Sequence, residues 1–231
     1  MSPDIEEVQE EVYNITQSAD LFPTEFLAAR CSAIYLELLD PNRHRTAETG
    51  EFPLNHASLK IDFEEPVSGY RGLCLDVQLA EDEPSHDSEN NPRGMVCIKL
   101  VRWTHRSPSS LRTLRIRSKS GLLFKEIFDL IVNKRMIYFS FISDDRQFFG
   151  CRDFIAQVIS VLESEGLVES KLDRSEIKDM LNSISTVYDV LGRRFGQGCD
   201  RWCPIYKGEF LLYTRINLDK IEYSRVPDFE S

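Results

Sequence analysis

Residues Met136 to Gly166 read MIYFSFISDDRQFFGCRDFIAQVISVLESEG, and this stretch decides the fold. The run Met136 to Ile142 is apolar and aromatic, too short for a helix and rich in β-formers, so it is expected as a buried strand. Asp144 and Asp145 follow it, and after a short loop Gly150, Cys151 and Arg152 open a second apolar segment. There Phe154, Ile155, Val158, Ile159 and Leu162 recur at helical spacing, with Gly166 as the stop signal. The order is strand, acidic loop, cysteine, helix. A thiol at a helix start meets unsatisfied backbone N–H groups and the positive end of the dipole, both of which favour thiolate.

Upstream, the pattern changes to strands. Cys31 to Leu39 is the first. His56 to Phe63 alternates Leu59, Ile61 and Phe63 with Ser58, Lys60 and Asp62, as a half-buried strand does, and Gly72 to Leu79 alternates likewise. Met95 to Trp103 is a further strand, and Leu111 to Ser118 a short one. Gly121 to Asn133 and Leu172 to Leu191 read as amphipathic helices, the second with Asp173 and Glu176 as a capping pair and Gly192 at its end. Gly208 to Ile216 closes the series as a strand. Strands first, then helices with strands returning, give an α+β class, a mainly antiparallel sheet with helices packed on one face. Residues 1–23 are expected as an acidic N-terminal arm, with Val8, Val12 and Ile15 on one side of a short helix. Residues 24–231 form a single domain whose polar loop at 80–94 is expected to be mobile.

The chain has 231 residues, 42% of them hydrophobic and 29% charged, as in ordinary soluble globular proteins. No apolar run approaches the roughly 18 residues of a membrane span. The start, MSPDIEEVQEEV, lacks the basic and apolar regions of a secretory signal. A cytoplasmic protein without membrane contact is expected. The six cysteines are read as reduced. Cys199 and Cys203 form CDRWC with no second pair to complete a zinc site, so neither a metal nor another cofactor is expected.

The net charge of −10 is unevenly spread. Residues 1–100 carry a net −13, residues 101–135 a net +7 and residues 136–231 a net −4. A compact basic block in an acidic chain suits a polyanionic partner, and Arg112, Arg115, Arg117 and Lys119 are its candidate phosphate contacts. A solvated basic face would read the same way.

Three chemistries compete at the central stretch. Cys151 at a helix start after a strand fits a papain-like nucleophile, with His56, at the head of its strand, as base and His105 as second choice. Packed as a small hydrophobe, the same cysteine would be inert. Asp144 and Asp145 suit a general base or the capture of an ammonium or guanidinium group, and equally a plain turn. Arg152 at a helix start opposes the dipole, so it is expected to pair with Asp144 or Asp145.

The step Phe149-Gly150-Cys151-Arg152-Asp153-Phe154 resembles a family of small fungal proteins long left as a domain of unknown function. The Ser58 to Phe63 strand, the helix before Met136 and Lys207-Gly208-Glu209-Phe210 fit it in order. Some members of what looks like this family are arginine-containing cyclodipeptide synthases. The resemblance implies an aminoacyltransferase of fungal secondary metabolism that joins arginine from arginyl-tRNA with a second aminoacyl-tRNA into a cyclo(Arg-Xaa) diketopiperazine. It further implies Asp144 and Asp145 as the first two positions of an acidic motif, whose third position falls on Phe148. Cys151 joins them as a catalytic candidate, and Arg152 and His56 line the substrate pocket. Two readings stand against it: a cysteine hydrolase or acyltransferase using Cys151 and His56, and a non-enzymatic interaction module.

Overall fold

The computed structural model describes residues 11–39, 56–80, 92–144, 147–168 and 207–216, with no side chains given for 143, 144 and 147–149. One eight-stranded sheet dominates it. Strands β1 (Val12–Asn14), β2 (Cys31–Leu39), β3 (His56–Val67), β4 (Tyr70–Leu79), β5 (Arg93–Val101) and β6 (Ser110–Ile116) precede helix α3. Short helices α1 (Ile15–Ser18) and α2 (Thr24–Leu27) lie between the first two strands, and α3 spans Phe124–Asn133. Then come β7 (Phe139–Ser140), β8 (Ile142–Asp144), β9 (Gln147–Phe149), helix α4 (Cys151–Ser164) and β10 (Glu209–Phe210). The sheet runs β10-β7-β5-β4-β3-β2-β6, β1 adds to β5, and every pair is antiparallel; β8 and β9 form a separate hairpin. The fold is α+β with a mainly antiparallel sheet.

Alternation sorts the two faces of this sheet. Leu36 and Leu38 on β2, Leu59 and Ile61 on β3, Leu73 and Leu75 on β4, and Val96 and Ile98 on β5 share one core. The apolar stripe of α4, Phe154, Ile155, Val158, Ile159 and Leu162, joins the same core and packs on β3 and β4, while α3 adds Phe124, Ile127, Phe128 and Ile131. Glu126 fixes the start of α3 by accepting from the backbone N–H of Leu123 at 3.0 Å, the reach-back half of a capping box. Gly166, at φ +67°, follows the last turn of α4 as the left-handed residue that such ends favour.

The opposite face is polar yet buried. Glu37 and Lys60 are fully buried and Asp62 is 2% exposed. The sequence had placed Lys60 and Asp62 on a solvent side; a loop over 102–109 roofs them instead. Ser107 donates its backbone N–H to Glu37 Oε1 at 2.8 Å and its hydroxyl to Oε2. His105 donates its N–H to Asp62 Oδ2 at 2.8 Å, and Lys60 pairs with Asp62. Burial pushes the Glu37 carboxyl up against the opposing pull of the Ser107 hydrogen bonds and Lys60.

Several boundaries differ from expectation for local reasons. The Met136 to Ile142 strand is broken into β7 and β8: β7 pairs with Arg93 and Gly94 on one side and with β10 on the other, and Phe141 then donates its N–H to the Pro92 carbonyl. The Gly208 to Ile216 strand shrinks to β10. Beyond it the chain is held by side chains: Gln157 accepts from Ile216 N–H at 2.9 Å and donates to its carbonyl, and Arg215 pairs with Asp153. Residues 121–123 precede α3 rather than belonging to it. Of the N-terminal helix expected over Val8, Val12 and Ile15, Val8 lies outside the described residues, and the rest is β1 followed by α1, with Ile15 and Phe22 buried. The Leu172 to Leu191 helix, Cys199 and Cys203, and most of the loop at 80–94 lie outside the described residues.

Phe139 locks these pieces together. A Cβ on Gly94, Gly150 or Gly208 would come within 2.9, 2.8 and 2.0 Å of its ring carbons. Its ring meets Phe141, Phe154 and Phe210 at centroid distances of 5.4, 5.5 and 4.9 Å. Phe139→Ala is expected to lower unfolding free energy by about 3–5 kcal/mol, read from urea denaturation, because three backbones cannot close on the vacated volume.

Candidate active site

Strand β3 begins at His56, α4 begins at Cys151, and the core packing of α4 on β3 and β4 brings these two starts together. His56 Nε2 lies 3.1 Å from Asp76 Oδ2 on the neighbouring strand β4. That leaves Nδ1 for Cys151, with which the imidazole is hydrogen-bonded. The backbone N–H of Ala57 also donates to the sulfur. Gln78, two residues along β4 on the same face, donates to Asp76 Oδ1 at 3.1 Å. A thiol, an imidazole and a carboxylate thus stand in line, an arrangement that in cysteine and serine enzymes activates a weak acid.

The charges follow from these contacts. Burial works to raise the Cys151 pKa, but the hydrogen bond and charge of His56, the charge of Arg152 and the Ala57 N–H outweigh it, and the thiol is held below its ordinary value. Burial works to lower that of His56, yet the hydrogen bonds to Asp76 and Cys151 and their charges push it up to about 10. The two shifts run in opposite directions, thiol down and imidazole up, because each charged form favours the other. The other described cysteines go the opposite way: burial raises Cys31, Cys74 and Cys97 to about 12. Cys74 and Cys151 are both partly exposed, whereas Cys31 and Cys97 are buried. The direction of the shift is what sets Cys151 apart, and a lowered thiol pKa is one ingredient of reactivity.

Gly150 makes the nucleophile's position possible. Its φ of +136° lies where side chains are strongly disfavoured, and a Cβ would strike Phe139 and approach Gly208 Cα to 3.0 Å. Asp153, one turn in, is 1% exposed and accepts from the Gly208 N–H at 2.9 Å. The 207–216 segment is thereby strapped beside the start of α4.

The remaining sequence candidates fall in different places. Asp144 is described only as backbone in β8, and Asp145 lies outside the described residues, so their approach to Cys151 or Arg152 does too. Arg152 is 5% exposed and acts on Cys151 through its charge. His105 is not held as a base; its ring accepts or donates at 3.1 Å with the Tyr35 hydroxyl, over Asp62. Arg112 and Arg115 are exposed on the edge strand β6, but at positions of opposite parity, so they leave opposite faces of the sheet. Arg117 is exposed just past that strand. Lys119 is engaged with Glu126 at 2.6 Å.

Asp76 is the group that sequence reasoning missed. Its signal was a carboxylate within the alternating strand GLCLDVQL, on the face of Cys74 rather than that of Leu73 and Leu75. Among the described residues no cluster of three His, Cys, Asp or Glu is placed to hold a metal ion, and no helix is long and apolar enough to cross a membrane.

Residues 40–211, which include His56, Asp76 and Cys151, match the family described as Domain of unknown function (DUF7770). No curated protein and no solved structure matches the chain.

The lowered thiol pKa sets a pH signature. Alkylation of Cys151 by iodoacetamide is expected to run ahead of Cys31, Cys74 and Cys97 and to stay fast down to pH values where an ordinary thiol is protonated, since the thiolate persists above its depressed pKa. His56→Ala removes the largest opposing contributions to burial and moves the onset of alkylation to higher pH. Mass-spectrometric labelling rates between pH 5 and 9 measure both, scaled from an ordinary thiol pKa of roughly 8.5.

Proposed function

We propose that this chain, which belongs to the DUF7770 family, is a cysteine-dependent acyl-transfer enzyme, a hydrolase or acyltransferase with Cys151 as nucleophile, His56 as acid and base, and Asp76 as the group that orients His56. The observation that carries the reading is the hydrogen-bonded line Cys151–His56–Asp76, with thiol and imidazole shifted in opposite directions.

The chemistry follows from that line. The Cys151 thiolate attacks the carbonyl carbon of an ester, thioester or amide, and the new C–S bond forms as the bond to the leaving group breaks. The His56 imidazolium gives its proton to the departing oxygen, sulfur or nitrogen. A thioester remains on Cys151. The neutral His56 then takes a proton from water or an amine, which attacks the thioester carbon, and the C–S bond breaks to restore thiolate and imidazolium. Asp76 stabilises the charged imidazole at each return, and Gln78 holds Asp76 in place. Negative charge on the carbonyl oxygen develops beside the first backbone N–H groups of α4, which have no acceptor within the helix.

Incubation with p-nitrophenyl acetate is expected to add one acetyl group to the protein at Cys151, seen by intact mass and peptide mapping. Cys151→Ser abolishes the adduct. Asp76→Asn slows its formation by roughly 10²- to 10⁴-fold, the range spanned by loss of a group that serves a general base. Labelling distributed over several cysteines would refute the reading.

A second reading keeps this thiol chemistry and takes aminoacyl-tRNA esters as donors, with arginyl-tRNA among them and a cyclo(Arg-Xaa) diketopiperazine as product. The observation favouring it is the position of Arg112. It pairs with Leu38 on β2, which pairs with Ala57 beside Cys151, so an exposed cation stands two strands, roughly 10 Å, from the site. In this reading Asp144 and Asp145 receive the arginine side chain or the attacking amine. A mixture of arginyl-tRNA and other charged tRNAs is expected to yield an RNase-sensitive diketopiperazine by mass spectrometry, and charge reversal at Arg112 and Arg115 to weaken tRNA binding most at low salt.

A further inference from the structure

Helix α4 is apolar along the stripe it packs on the sheet, yet two further enclosed side chains on it are polar. Asp153 is 1% exposed and Gln157 is fully buried. They stand one turn apart on the same side of the helix. Each completes its hydrogen bonds on the segment 207–216. Asp153 Oδ2 accepts from the Gly208 N–H at 2.9 Å, and Oδ1 pairs with Arg215. Arg215 Nη1 donates to the Gly208 carbonyl at 2.8 Å, so one carboxylate and one guanidinium close a ring on the backbone of Gly208. Gln157 accepts from the Ile216 N–H and donates to the Ile216 carbonyl, both at 2.9 Å. Burying polar groups beside a core is costly unless each is matched, and both are matched by this one segment.

We infer that Asp153 and Arg215 are positioning residues for Cys151: by clamping Gly208 they fix the first turn of α4, and with it the place of the sulfur against His56. This rests on the thiol reading above. Gly208 meets the helix on both sides of the cysteine. A Cβ on Gly150 would come within 3.0 Å of Gly208 Cα, and Asp153 holds the Gly208 N–H. The residue before Cys151 and the second residue after it therefore seat on one point. The helix does not fix this turn by itself, because its first N–H groups have no carbonyl within the helix and Gly150 supplies no side-chain cap. Burial works to raise the Asp153 carboxyl pKa, and the charge of Arg215 is the largest influence against that rise. Without Arg215 the carboxyl takes up a proton more readily and its hold on the Gly208 N–H weakens. The sulfur itself is bonded to His56 and the Ala57 N–H and feels the Arg152 charge, so Asp153 and Arg215 act on it through the helix turn.

The test compares Arg215→Gln, Arg215→Lys and Phe26→Leu with the wild-type chain. Three things are measured: Tm, the pH at which iodoacetamide labelling of Cys151 sets in, and the saturation curve of Cys151 acetylation by p-nitrophenyl acetate. In Arg215→Gln the saturating rate is expected to fall roughly 10- to 100-fold with half-saturation little changed, the scale set by misplacing a reacting group by about 1 Å. Labelling is expected to set in at higher pH as the sulfur draws away from His56. Arg215→Lys keeps the charge but offers one nitrogen where the guanidinium offers two, and is expected to recover part of both. It carries the test if Arg215→Gln does not fold. Phe26 packs on Phe63 and Tyr70, so Phe26→Leu lowers Tm without touching the clamp. Arg215 variants with the wild-type labelling onset and acetylation rate overturn the inference, whatever their Tm. A shift that Phe26→Leu reproduces at equal loss of Tm also overturns it, since stability alone then explains the effect. In both cases the wild-type adduct at Cys151 leaves the thiol chemistry standing. Absence of that adduct in the wild-type chain overturns the thiol chemistry and the inference with it.

Discussion

The seat of Phe139 is the constraint on which the rest depends. One ring occupies space that three glycines leave open, on β5, at the start of α4 and before β10. Segments far apart in sequence are thereby brought to backbone distance, which only residues without Cβ allow. The aromatic contacts with Phe154 and Phe210 add ring-on-ring packing to the same point, and Phe154 and Phe210 themselves stack at 6.0 Å. The cysteine follows Gly150 directly. Its position is therefore inherited from a packing event in the core, not from the loop that precedes it.

The second structural commitment is the buried polar face. Taking Glu37, Lys60 and Asp62 out of water is costly, and their mutual pairing together with Ser107 and His105 offsets the loss. Such a network stiffens the middle of β2 and β3. His56 stands at the end of that stiffened strand, on the same face, and Asp76 on β4 reaches it from the neighbouring strand. A histidine carried by strands thus meets a cysteine carried by a helix, and both belong to elements held by the core. The function proposed for the pair needs such fixed geometry, since two desolvated groups depend on each other for their charge.

The chain order of the line is histidine, aspartate, cysteine. Such constellations are defined by geometry and role, so the order along the chain carries no penalty. It does have a consequence for the fold: His56 and Asp76 belong to the early strands, and Cys151 arrives with the late helix. The apolar side chains around Gly150 come from the same late segments. The imidazole is contributed by one half of the chain, and the thiol with its surroundings by the other.

Much of the fold was legible in the sequence because its signals are local. Period-two alternation identified β3 and β4, runs of β-forming residues identified β2 and β5, and the helical spacing of Phe154 to Leu162 identified α4 with its cysteine at the first turn. Cys151 and His56 were visible for the same reason, each standing at the end of a well-marked element. Asp76 was not, because a carboxylate in a strand gains its meaning from whatever lies beside it on the next strand, and register is a tertiary quantity. Lys60 and Asp62 were assigned to solvent because alternation says that two faces differ, not that a loop roofs the second. The break between β7 and β8 escaped for a similar reason, since the end of a strand is set by where its partner stops. The sequence by itself determined which residues alternate, where the helices begin and that a thiol would sit at a dipole's positive end. Only the tertiary structure decided that this thiol faces an imidazole already held by a carboxylate, because that choice was made by the packing of α4 against the sheet.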